Sequence, residues 1–101
     1  MIFIHPAVVE QYRALRAVRM ALAEGEILQS QQESLQVLYL EAYGTPRGDR
    51  LFAAWEQTHR AANENIERIN ELVARREAAD AVYDALPKDV QLAWLRQAIP
   101  V

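Results

Sequence analysis

At 101 residues and 11.5 kDa the chain is sized for one domain, and folding should bury about 65% of the surface that the extended chain exposes. Its apolar fraction of 51%, charged fraction of 25% and net charge of −3 are those of an ordinary globular protein. They exclude both an overall basic pull toward nucleic acid and the charge density of a disordered acidic tail. The absence of cysteine excludes a disulfide scaffold, a thiolate nucleophile, cysteine-ligated zinc and iron–sulfur clusters.

The first six residues, Met1 to Pro6, contain no Lys or Arg and only a short apolar run, so they do not read as a signal peptide. No apolar stretch reaches the length of a membrane span. A cytoplasmic protein without membrane contact is the expectation. Ten Arg against one Lys, with seventeen Ala, point to a GC-rich coding background of bacterial or phage type.

The chain predicts an all-α fold, a small antiparallel helical bundle or hairpin with one long central helix. Three Gly and four Pro leave long stretches of Ala, Leu, Glu, Gln and Arg, and no segment alternates with period two. Pro6 suits a first helical turn. Val8, Tyr12, Leu15, Val18 and Leu22 then fall on one stripe, whereas Leu28, Leu35, Leu38, Tyr39 and Ala42 point nearly the opposite way. With Gly25 between the two sets, the expectation is two helices, 6–23 and 26–43, reversing at a glycine with positive φ. The alternative is one long helix.

Gly44-Thr45-Pro46-Arg47-Gly48-Asp49 is the clearest loop, with Asp49 as the expected N-cap of a helix over 49–86. That run of about 37 residues would span roughly 55 Å. Phe52, Trp55, His59, Ala62, Ile66, Ile69 and Val73 form its expected heptad seam, followed by a register slip to Leu72, Ala79, Tyr83 and Leu86. Glu56/Arg60, Glu64/Arg68 and Glu71/Arg75 are expected to pair four residues apart on the solvent face. Pro87 breaks the rod, and a closing helix is expected over 88–98. All of this is read as a single helical domain, residues 1–101.

Groups that could carry chemistry are sparse. His59 is expected as a buried core residue beside Trp55, and His5 as a helix-entry residue. Glu56-Gln57-Thr58-His59 matches the Glu-x-x-His of a di-iron bundle once, without the second copy such a site needs. No serine sits in a nucleophile elbow, and the glycines are too scattered for a phosphate loop. Neither a metal nor a cofactor is expected, and the chain is not expected to be an enzyme. Arg47-Gly48-Asp49 spells an adhesion tripeptide, but these are the residue types a loop before a capped helix needs, and without a secretion signal the match reads as coincidence.

The expectation is therefore a non-catalytic protein–protein interaction module: an adaptor, a secretion-type chaperone, or an inhibitor of phage or mobile-element type. Partner contacts are assigned to Arg13, Arg16 and Arg19 on the first helix, and to Phe52, Trp55, Tyr83 and Trp94. The partner is another protein, with a symmetric dimer of the chain as one form of it. The alternatives are a nucleic-acid accessory protein using the Arg13/Arg16/Arg19 flank, which the acidic balance disfavours, and a small bundle enzyme.

Overall fold

A computed structural model describes the backbone of residues 4–98 and the side chains of residues 4–93. The described residues form three helices: α1 over Pro6–Glu41, α2 over Pro46–Asp84 and α3 over Lys88–Ala98. The all-α expectation holds. The break at Gly25 does not, because α1 runs through it without interruption. The glycine that takes positive φ is Gly44, in the turn between α1 and α2.

Each helix start has a local cause. The His5 ring accepts the Ala7 amide proton through Nδ1 at 3.1 Å and caps α1, with Pro6 in the first helical position. At α2 the cap is Thr45, not Asp49. Its hydroxyl oxygen accepts the Gly48 amide proton at 3.1 Å, and Pro46 opens the helix three residues earlier than the sequence suggests. Asp49 instead lies within the first turn, where its charge suits the positive end of the helix dipole. Pro87 separates α2 from α3 as expected.

The chain divides into two compact units. One, Arg19–Asn70, is an antiparallel helical hairpin made from the second part of α1, the turn and the first part of α2. The other joins the start of α1 to residues from Glu71 onward, α3 included.

Both long helices carry an unbroken heptad seam. On α1 it runs through positions 7, 11, 14, 18, 21, 25, 28, 32, 35, 39 and 42, none of which is exposed. On α2 it runs through 48, 51, 55, 58, 62, 65, 69, 72, 76, 79, 83 and 86, where only Arg76 is exposed. Of the expected seam, Trp55, Ala62 and Ile69 lie on the observed one, whereas Phe52, His59, Ile66 and Val73 form the neighbouring stripe, and all four of these are exposed. No register slip exists. Leu72, Ala79, Tyr83 and Leu86 simply continue the seam that Gly48, Leu51, Thr58 and Asn65 begin. The small and polar inner residues disguised it.

In the unit that joins the start of α1 to residues from Glu71 onward, Ala7, Ala14, Val18 and Ala79 are buried, and the Gln11 side-chain amide donates to Asp80 Oδ1 at 2.9 Å. Gln91 of α3 donates to the carbonyls of Tyr83 and Leu86, taking up orphan acceptors at the end of α2. Arg75 donates from Nε to Glu10 Oε1 at 2.8 Å. This pair crosses between helices, in place of the Glu71/Arg75 pairing along α2. Arg68 likewise reaches Glu24 on α1 at 3.6 Å rather than Glu64. Both arginines stand beside the seam, within reach of the opposite helix.

In the hairpin the seam closes on one contact. Asn65 is buried, and its side-chain amide donates to the Ala21 carbonyl at 3.1 Å. The oxygen of the same side chain lies over Gly25, 2.7 Å from where a Cβ would stand. Gly25 is thus a close-approach glycine within a helix. Gly25→Ala gains about 1 kcal/mol of helix propensity but displaces an amide whose buried hydrogen bond is worth about 1–3 kcal/mol when it is left unmade. A lower melting midpoint is the expected outcome for the single variant. In an Asn65→Ala background, the same substitution should raise the midpoint instead.

The hydrogen bond from Arg75, helped by its charge and that of Arg13, holds the Glu10 carboxyl below its ordinary value of 4.5. A lowered folded-state pKa contributes stability that is full above the ordinary value and is lost as pH falls through the folded one. Glu10→Gln should therefore lower the melting temperature at pH 6. The difference should shrink as pH falls through the acid range, and equal differences at pH 6 and pH 2 would show that the ion pair contributes nothing.

Candidate functional site: an uncharged flank of the hairpin

Beside the seam each helix of the hairpin presents two further stripes, and the two sides of the hairpin differ in chemistry. On one side stand Glu24 and Arg68, joined by their ion pair. On the other, α1 contributes Leu22, Gln29 and Gln36 and the turn after it Tyr43, all at seven-residue spacing, and α2 contributes Phe52, His59 and Ile66 at the same spacing. No Asp, Glu, Lys or Arg occurs among these seven positions. Leu22 is 48% exposed, Tyr43 73%, Phe52 41% and Ile66 55%. This flank is the candidate site.

Its floor is a ladder of rings. Tyr39 lies edge-on to Tyr43 with centroids 5.8 Å apart, and Phe52 packs on Tyr39 at 5.3 Å. Trp55 stacks on Phe52 at 6.1 Å and on His59 at 5.0 Å, the latter nearly coplanar at 8°. The Gln32 side-chain amide donates to His59 Nδ1 at 2.8 Å, which orients the ring. His59 is therefore an exposed member of the ladder, contrary to its expected burial in the core. The displacement follows from the seam: Thr58, one residue earlier, takes the inward position and satisfies its hydroxyl on the Ala54 carbonyl.

Two open grooves follow the flank. One, of about 200 Å³, is lined by Gln36, Tyr39, Leu40, Phe52 and Trp55. The other, of about 550 Å³, runs past Leu22, Gln29, Asn65 and Ile66, with Glu26 at its edge. Rims bound the flank on both sides. On α1 the rim carries Glu26 and Glu33, with Arg19 at one end and Leu40 at the other. On α2 it carries Asp49 and Glu56, then Asn63 and Asn70.

Of the residues assigned to partner contact from sequence, Phe52 and Trp55 stand together on this flank. Tyr83 belongs to the other unit, half-buried on the α2 seam, with its carbonyl bonded to Gln91. Arg13, Arg16 and Arg19 are exposed on successive turns of α1 and line neither groove. The indole of Trp94 lies outside the described residues. Sequence reasoning missed Tyr39, with Tyr43 beside it, as the neighbour of Phe52, and Leu22 as the neighbour of Ile66. The signal for Leu22 and Tyr43 was their seven-residue spacing beside the true seam, on which Tyr39 itself lies.

Among the described residues no group of His, Asp and Glu side chains is placed to hold a metal ion, and Glu56 and His59 form no part of one. No helix there is long and apolar enough to cross a membrane. Compared with known proteins, the chain matches no family model, no curated protein and no solved structure.

The half-buried Trp55 ring joins two neighbours in the ladder, so its truncation should cost about 3 kcal/mol, the lower end for removal of a packed aromatic side chain. Urea unfolding of Trp55→Ala measures this. A loss below about 0.5 kcal/mol, the range of ordinary surface substitutions, would show that the ladder does not hold the hairpin.

Proposed function

We propose that the chain is a non-catalytic protein-binding module and that it engages its partner along the uncharged flank of the hairpin. The observation that carries this reading is the unbroken line of seven uncharged positions, four of them occupied by large, exposed apolar or aromatic residues. An apolar stripe that widens from two positions per heptad to three belongs to a helix that packs against more than one neighbour. Each hairpin helix has one neighbour already, so the third position awaits another.

Area supports the same reading. The chain exposes 7788 Å², against about 5,800 Å² for a folded monomer of this mass. The excess, about 2,000 Å², is more than the roughly 800 Å² that each partner contributes to a standard protein–protein interface. No large side chain among the described residues is fully buried, so a partner would also supply packing that the chain lacks. Adaptors, chaperones and inhibitors all work by such occupancy, and the reading covers the three together.

A photo-crosslinking side chain placed at Ile66 and, separately, at Val37 on the outer face tests it in an extract of cells expressing the chain. Protein adducts from position 66 and none from position 37 are the expected result. Adducts from neither position, or equally from both, would overturn the assignment of the flank. A labelled DNA duplex, titrated from 50 to 200 mM salt, should show no saturable binding. Binding that weakens steeply with salt and disappears in the Arg13/Arg16/Arg19→Gln variant would favour a nucleic-acid role instead.

A further inference from the structure

The flank's borders narrow down its occupant. Its floor is apolar and aromatic, formed by Leu22, Tyr39, Tyr43, Phe52, Trp55 and Ile66, and each rim carries two acids, Glu26 and Glu33 on α1 and Asp49 and Glu56 on α2, against one basic residue, Arg19, at the end of the α1 rim. We propose that the flank receives one amphipathic helix of another protein, whose apolar stripe is bordered on both sides by lysine or arginine. The proposal rests on the protein-binding reading above and names the chemistry of the partner.

Three observations lead to it. From Leu22 to Tyr43 the flank follows α1 for about 30 Å at 1.5 Å per residue, the length of a helix of roughly 20 residues. Such a helix, laid between α1 and α2, would complete a three-helix arrangement and cover the third stripe of both. It would anchor at residues spaced i, i+3, i+4 and i+7, as helices held in grooves do. Next, the charges bordering the stripe of such a helix would come to lie beside the rims, where basic groups meet Glu26, Glu33, Asp49 and Glu56. Rim charges of this kind set orientation and partner choice more than affinity.

The third observation concerns a second copy of the chain, which the rims oppose. Isologous pairing through this flank presents the same patch from both subunits, which sets an acidic rim against an acidic rim in a chain that already carries a net charge of −3. A basic helix meets no such repulsion. The polar positions Gln29 and Gln36 can be satisfied by either occupant, since each amide offers both a donor and an acceptor, and His59 is already bonded to Gln32. They do not discriminate.

The test uses the full chain and two labelled synthetic 20-residue peptides with the same leucine and alanine stripe, one flanked by lysine and the other by glutamate. Binding is read by fluorescence anisotropy, with sedimentation to record the mass of the free chain and the stoichiometry. The lysine peptide is expected to bind one to one and at least about tenfold more tightly than the glutamate peptide, a margin of about 1.4 kcal/mol. The triple reversal Glu26→Lys, Glu33→Lys, Glu56→Lys should erase that preference. Ile66→Ser should weaken both peptides, and Val37→Ser neither.

The control is Glu41→Lys, Glu64→Lys, Glu67→Lys, which changes net charge equally but lies off the rims. It should leave the preference in place, and helicity by circular dichroism should match the parent in both triple variants. Equal loss in both would show only general attraction to an acidic protein and would overturn the proposal. So would failure of the lysine peptide to bind, or a free chain at twice 11.5 kDa with Ile66→Ser returning it to a monomer. If the peptides fail while position 66 still crosslinks to proteins in the extract, the basic helix is wrong and the protein-binding flank stands. If position 66 crosslinks to nothing, both fall.

Discussion

The hairpin depends on how closely its two helices approach. Asn65 can donate to the Ala21 carbonyl only because Gly25, one turn further along α1, has no side chain to hold the helices apart. At the turn the constraint recurs: a Cβ on Gly48 would collide with the Ala42 carbonyl oxygen. Between these two points the seam includes Ala42, Ala62 and Thr58, all small for core residues. A buried amide bonded to a main-chain carbonyl also fixes register. A slip by one turn would strand its polar atoms at a cost of about 1–3 kcal/mol.

Close approach has a consequence for everything outside the seam. Small inner residues such as Ala21, Gly25, Ala42, Thr58 and Ala62 bring the helices close, so the larger seam residues, among them Leu28, Leu35, Tyr39 and Trp55, are only half-buried and the residues of the next stripe lie alongside. That is why the buried apolar side chain of the hairpin is Ala21, while Phe52, Ile66, Leu22 and Tyr43 remain in contact with solvent. The aromatic ladder is the partial remedy. By stacking the seam residue Trp55 between Phe52 and His59, the hairpin covers ring faces that would otherwise meet solvent. The edges stay open, and the grooves follow them.

The same constraint decided what could be read from the sequence. Helix class, the turn around Gly44, the α3 boundaries and the roles of Pro6 and His5 were legible because they rest on local propensity and capping. The seam was not, because apolarity marks an interface only when its inner residues are large. Phe52, His59, Ile66 and Val73 repeat every seven residues and look like a core, yet they flank one whose own members include Gly48, Thr58 and Asn65. Gly25 misled for the same reason: a glycine in a helical stretch reads as a terminus unless the residue packed over it is known. Thr45 was overlooked as a cap because Asp49, four residues later, offers an equally good signal. Only the position of Pro46 between them favours the threonine.

Two sides of one hairpin that differ in charge carry a further implication. In this antiparallel pairing the stripe of α1 that holds Glu24 meets the stripe of α2 that holds Arg68. The stripe that holds Leu22 meets the one that holds Ile66, and together they line a single groove. On the first side Glu24 and Arg68 answer each other within the chain. On the second side the flank offers no charge, and the rims offer acids that find no basic group on the facing stripe. Apolar area without a lid and acid without a counter-ion thus occur on the same side, so a partner that answers one is placed to answer the other. Specificity then needs no third feature: a neutral helix would leave the rims unanswered, and an acidic one would be repelled by them.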